Sequence, residues 1–135
     1  FSASSDGGAT WSTPVRVNNN AEGGQSAPSD QFTPAIGSDK SGAIAICFYD
    51  RRRDPANFLI DRECAKSLNG GASWSNARIT PSSFPSLVGQ DALVAADYMG
   101  EYDSVASDSL EHSAGFIDSY ASNANGHPAV MTNKY

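Results

Sequence analysis

Two stretches of the chain concentrate side chains able to do chemistry. The first is Asp50-Arg51-Arg52-Arg53-Asp54, followed closely by Asp61, Arg62 and Glu63. A guanidinium is a planar fork that fits a carboxylate, so Arg51, Arg52 and Arg53 are each candidate ligands for an anionic group. The bland alternative is that they pair with Asp50, Asp54 and Asp61 at a sheet edge, as charge runs usually do. The second stretch is Asp97-Tyr98-Met99-Gly100-Glu101-Tyr102-Asp103. It brings the phenols of Tyr98 and Tyr102 close to the carboxylate of Glu101. On a strand, Tyr98, Gly100 and Tyr102 share one face and Glu101 points to the other, so Glu101 and Tyr102 meet only across a bulge. Otherwise these residues pack. His112 and His127 have no neighbour that suggests catalysis and are expected in turns. Two cysteines and these two histidines lack the spacing of a zinc site, so no metal and no cofactor is expected.

The elements that would position these side chains are strands. Ala43 to Tyr49 is an almost unbroken apolar run, the pattern of a strand covered on both faces. Residues 32–37 precede it across an Asp39–Gly42 turn. Residues 58–67 follow across a loop, 51–57, in which Pro55 stops regular pairing. Cys47 and Cys64 sit nearly symmetrically about that loop. They are either a cross-strand disulfide or two buried thiols.

One corner motif occurs twice. Ser4-Ser5-Asp6-Gly7-Gly8-Ala9-Thr10-Trp11 matches Ser67-Leu68-Asn69-Gly70-Gly71-Ala72-Ser73-Trp74 position for position, 63 residues later. Asp6 and Asn69 can each accept hydrogen bonds from the backbone just downstream. The glycine pairs supply positive φ. Ser4, Thr10, Ser67 and Ser73 add hydroxyls, and Trp11 and Trp74 are apolar plugs. Each motif reads as a self-bonded hairpin corner, and a repeat on this scale suggests an array of similar sheet units.

The motif resembles the Asp-box, or BNR repeat, of sialidase-like β-propellers, with Asn69 in place of the aspartate in the second copy. The resemblance covers most of the chain and implies an all-β propeller segment of about two to three four-stranded blades. Residues 1–17 would end one blade with the first box, 18–31 would connect, 32–79 would form a complete blade with the second box, and 80–135 an incomplete C-terminal blade. Within the last part, strands are expected inside 92–109, over 115–122 and over 128–135, with a turn at Asn123–Gly126. In this family the boxes are structural: here Ser4, Asp6, Gly8, Thr10, Trp11, Ser67, Asn69, Gly71, Ser73 and Trp74.

The resemblance also implies chemistry. The family's enzymes hold a carboxylate sugar with three arginines from separate blades and use a tyrosine nucleophile activated by a glutamate. Arg51, Arg52 or Arg53 would match such an arginine, and Tyr98 or Tyr102 with Glu101 the nucleophile pair. The family's acid/base aspartate and its Arg-Ile-Pro motif belong to an early blade with no counterpart in these residues. Non-catalytic glycan recognition, exo-sialidase activity and a structural role in assembly therefore all stay open. The expected partners are a carbohydrate ligand and the remaining blades or other protein chains.

Composition narrows the classes further. The chain has 135 residues and net charge −6. An acidic chain is poorly suited to nucleic acid or to anionic membrane surfaces. No apolar run is long enough for a membrane span, so no membrane insertion is expected. A secreted or cell-surface location is the expectation. At roughly 40–50 residues per blade and at least about four blades per ring, this length cannot close a propeller alone. The sequence therefore reads as part of a larger protein, or as one partner in an assembly that completes the ring.

Overall fold

The computed structural model of the chain describes residues 1–20, 28–85, 103–107, 112–118 and 129–134. Tyr98, Glu101, Tyr102, His127 and the expected Asn123–Gly126 turn lie outside the described residues. The described residues are all-β, with no helix among them. Strands β1 (Gln31–Ser38), β2 (Ile44–Asp50), β3 (Asp61–Ser67) and β4 (Ser75–Arg78) form one antiparallel meander in sequence order. Strands β5 (Ser104–Ser107), β6 (His112–Asp118) and β7 (Ala129–Lys134) form a second open sheet. The expectation that His112 sits in a turn is corrected: it opens β6, opposite Ser107.

Side-chain capture of backbone donors sets the strand ends. Asp39 accepts from the amides of Ser41 and Ala43 and from the Ser41 hydroxyl, which closes the β1–β2 turn. Asp54 accepts from the amides of Ala56, Phe58 and Leu59. These donors are then lost to the ladder, so β3 starts at Asp61 and not at Phe58. Cys47 and Cys64 stand directly opposite in the β2–β3 register, and their sulfurs are bonded.

The sheet has two sides. On one, Cys47, Tyr49, Ile60, Cys64, Ile79 and Phe84 form the core, with Phe32 and Val105 packed against it. The Phe32, Tyr49 and Phe84 rings run in a chain, with centroids 5.4 and 6.4 Å apart. Strand β5 crosses this side close to β1. A side chain at Gly37 would come within 2.9 Å of the Val105 carbonyl oxygen and side chain, so glycine is needed for the approach.

The N-terminal hairpin, residues 1–17, packs on the other side. Its backbone is paired at Ala3–Ser12 and Phe1–Val15, without regular strands. The Phe1 ring stacks edge-on against Trp74, with centroids 5.3 Å apart, and lies over Gly71. Asn76 donates to the Val17 carbonyl.

The two corners are the same device at atomic level. Ser4 Oγ accepts from the Gly8 amide at 2.8 Å and Ser67 Oγ from the Gly71 amide at 2.8 Å. Asp6 Oδ1 accepts from the Thr10 amide at 2.9 Å, and Asn69 Oδ1 from the Ser73 amide at 2.9 Å. Gly7 and Gly70 have φ of 73° and 69°, and Gly8 and Gly71 both have 92°.

They differ in one respect. The Thr10 hydroxyl, then the Thr10 amide, then the Ser4 hydroxyl lower the Asp6 pKa to about 2. A depressed carboxylate pKa stabilises the fold above its ordinary value, and the contribution is lost as pH falls through the folded-state value. Asn69 has no such titration. In an NMR titration from about pH 5 to about pH 1.5, the Thr10 amide is expected to shift with a midpoint near Asp6's pKa while the Ser73 amide stays put. Parallel movement of both amides would mean that acid opens the sheet as a whole.

Candidate functional site

The topology separates two ends of the sheet. The second box and the β1–β2 turn lie at one end. The loop from Arg51 to Ile60 lies at the other, joined by Asp30 before β1 and by Arg78 to Ser83 after β4. The arginine cluster is therefore held by strand ends well away from the second box corner.

Each of the three arginines has a carboxylate partner, but they are not equally committed. Arg52 donates through Nε and Nη2 to Asp50 at 2.8 and 2.6 Å, and through Nη1 to Asn19. Asp50 is fully buried and also accepts from the Arg52 amide at 2.7 Å. Arg52 is thus fully engaged in neutralising a buried charge. Arg51 places Nη1 3.0 Å from the Asn57 carbonyl and 3.4 Å from Asp30, and its guanidinium carbon is 5.3 Å from the Phe32 ring centroid. Arg53 is the most exposed, at 35% of its side chain. It reaches Glu63 and, at 3.7 Å, Asp61 through Nη1 alone. Among the described residues its Nε and Nη2 have no partner, so one edge of the fork is free.

Beneath this cluster, the sheet buries carboxylates and balances each. Asp61 accepts from Arg78 Nε, the Thr80 hydroxyl and the Ser83 hydroxyl, each at 2.8 Å. Asp50, Asp61 and Glu63 lie on the hairpin side of β2 and β3 and pair with Arg52, Arg78 and Arg53 respectively. Burial of a carboxylate is tolerable only with such partners.

The opposite side of β3 holds a buried cation. Arg62 is fully buried, 2.8 Å from Asp103, with its guanidinium carbon 4.6 Å from the Tyr49 ring centroid. Its Nη1 also reaches the Thr33 carbonyl at 3.3 Å. Thr33 has φ of 49°, a left-handed conformation that is costly for a β-branched residue, within a bulge between Phe32 and Ala35. The bulge presents that carbonyl to Arg62. Burial raises the Asp103 pKa, against the opposing pull of Arg62 and of the Tyr49 hydroxyl.

The sequence analysis names Arg62 beside the arginine run and assigns it no role. A signal for its burial was available: Arg62 is two residues from Cys64 and so shares its face of the strand. The contributions of Asn19, Asp30 and Asn57 had no signal, because they depend on how a connection folds back over a loop.

No family model, no curated protein and no solved structure matches the chain. The functional reading therefore rests on the repeat and on the arginine end of the sheet.

Proposed function

We propose that the chain is a segment of a secreted, sialidase-like Asp-box β-propeller that recognises glycans and does so through the arginine end of its blades. The observation that carries the reading is the pair of corners with one hydrogen-bond pattern, repeated after 63 residues, each turning an antiparallel hairpin. Such corners bind their own backbone. The recognition surface is then the other end, where the arginines of the Arg51–Ile60 loop collect at the strand ends.

Arg53 is the residue best placed to meet a carboxylate sugar, because it keeps one free edge of its fork while Arg52 has none. Titration with 3′-sialyllactose, with lactose as control, tests this. Saturable binding of the sialylated sugar alone is expected. Arg53→Ala is expected to weaken it by at least about tenfold, because a charged hydrogen bond to the ligand is lost; it should also lower Tm, because it strands the buried Glu63, so the affinity is compared on the folded protein. Arg52→Ala is expected to destabilise the chain by roughly 2 kcal/mol, because it strands the buried Asp50. Absence of binding to any sialylated sugar would overturn the reading. Turnover of a fluorogenic sialoside would replace it with the hydrolase reading.

A further inference from the structure

The two corners are held alike and differ at one side chain. Position 69 carries an amide where position 6 carries a carboxylate, and a glycine follows each. Asn69 and Gly70 are both exposed, so water reaches them. Space around Gly70 is open: a side chain there would meet nothing within 4 Å. Among the described residues nothing accepts a hydrogen bond from the Gly70 amide. An asparagine followed by glycine is the pair in which a backbone nitrogen most readily attacks a side-chain carbonyl carbon, because glycine brings no side chain to the approach.

The Asn69 side chain is held in a way that favours this attack. Its Oδ1 accepts from the Ser73 amide at 2.9 Å and from the Ser67 hydroxyl at 3.0 Å. Attack at Cγ moves negative charge onto that oxygen, so both donors stand where the oxyanion forms. Its Nδ2 donates to Ser73 Oγ at 2.9 Å, which puts the leaving nitrogen beside a hydroxyl able to relay a proton. The first corner shows how the product sits. Asp6 Oδ1 accepts from the Thr10 amide at 2.9 Å and from the Ser4 hydroxyl at 2.8 Å, matching Asn69 Oδ1. Asp6 Oδ2 accepts from the Thr10 hydroxyl at 2.6 Å, at the place where Asn69 Nδ2 donates to Ser73. Exchange of Nδ2 for oxygen therefore asks only that the Ser73 hydroxyl turn from acceptor to donor, and the new bond is charge-assisted.

We propose that Asn69 is a self-modification site, at which the second corner converts its asparagine to the aspartate that the first corner already carries. Gly70 N bonds to Asn69 Cγ, the Cγ–Nδ2 bond breaks, and the Gly70 amide proton leaves with Nδ2 as ammonia. The product is a cyclic imide, and nothing is oxidised or reduced. Water then opens the imide at one of its bonds to Gly70 N. Cleavage at Cγ restores the backbone and leaves aspartate. Cleavage at the backbone carbonyl carbon routes the chain through Cγ and leaves isoaspartate. The corner favours the first. Isoaspartate adds a methylene to the backbone inside the turn and makes a carboxylate of the Asn69 carbonyl, which now accepts from the Ala72 amide. It also disrupts the spacing on which the Ser67–Gly71 and Asn69–Ser73 bonds depend. Aspartate keeps all three contacts. The converted corner gains a negative charge and the acid response of Asp6. The proposal concerns this corner alone and stands apart from sugar binding at the arginine end.

The test ages the 135-residue chain in mildly alkaline buffer, once folded and once unfolded in guanidinium chloride. Position 69 is followed by peptide mass and by isoaspartyl methyltransferase labelling, peptide by peptide, because Asn125-Gly126 repeats the pair elsewhere in the sequence. The folded chain is expected to convert, with a ratio of aspartate to isoaspartate at least about tenfold higher than in the unfolded chain, as one retained charged hydrogen bond supports. A second Ser73 amide resonance should grow in the aged folded sample and move with acid as the Thr10 amide does. The Asn69→Asp variant, made directly, gives its reference position. An Asn69 that stays an amide in the folded chain would overturn the proposal, because the corner would then protect the residue. So would a ratio no higher than in guanidinium chloride, which would place the reaction in the opened chain.

Discussion

Arg62→Met is expected to destabilise the chain by about 3–5 kcal/mol, the cost of leaving one member of a buried ion pair without the other. Arg62 has no exposed surface, and its partner Asp103 has only 5% of its side chain exposed. Methionine can fill much of the volume beside Tyr49 but offers nothing to the carboxylate. The pair also fastens β5 to the sheet, since Asp103 immediately precedes Ser104. Urea unfolding measures the loss. The double variant Arg62→Met/Asp103→Leu should recover a large part of it, because no buried charge is then left over. Acid should help the single variant. Burial already raises the Asp103 pKa, so the folded state binds the proton more tightly than the unfolded chain, and stability rises as pH falls through the raised value towards the ordinary carboxylate range. Without Arg62 the opposing pull is gone and the recovery on acidification should be larger. A loss below about 1 kcal/mol at neutral pH would show that the pair contributes no more than an exposed one.

Removing the disulfide is the second large effect. The Cys47→Ala/Cys64→Ala chain is expected to lose about 3 kcal/mol, the loop-closure value for a cross-link of this span. The bridged residues are 17 apart in sequence and face each other at the centre of the β2–β3 ladder. Both side chains are essentially inaccessible, so truncation to alanine also removes packing. The measurement is the urea midpoint of the double variant against the oxidised parent. Equal midpoints would mean that the ladder and core already hold β2 on β3 without the bridge.

Much of the four-stranded sheet was legible because its signals are local. The apolar run at Ala43 to Tyr49, the Asp39–Gly42 turn and the two corners each state their geometry within a few residues, and the structure has strands or turns at all of them. The β1 and β2 boundaries moved by one residue. The start of β3 moved by three, because Asp54 takes the amides of Phe58 and Leu59, a competition that strand propensity does not register. His112 was misplaced because a lone polar residue in a Ser-rich stretch says little about pairing; its strand is set by the register with Ser107.

The candidate site was legible only as a list of residue types. Sequence left Arg51, Arg52 and Arg53 equivalent. Structure separates them by whether a fully buried Asp50 occupies the fork, as at Arg52, or one edge stays free, as at Arg53. That distinction depends on partners 2 to 33 residues away. Arg62 was given no role for the complementary reason. It lies among charges in the sequence, whereas alternation from Cys64 places it inside, where Tyr49, Thr33 and Asp103 receive it.

The two polar clusters differ in what they hold. Box residues hold corners, and the proposed function has the arginine end meet the ligand. Asp6→Ala separates these roles most directly, measured as Tm and as 3′-sialyllactose affinity on the same preparation. A lower Tm is expected, because the side chain that organises the Ser4–Thr10 turn is gone, with the sugar affinity of the folded protein unchanged. A marked loss of affinity at unchanged Tm would contradict it, and would place the ligand at the box.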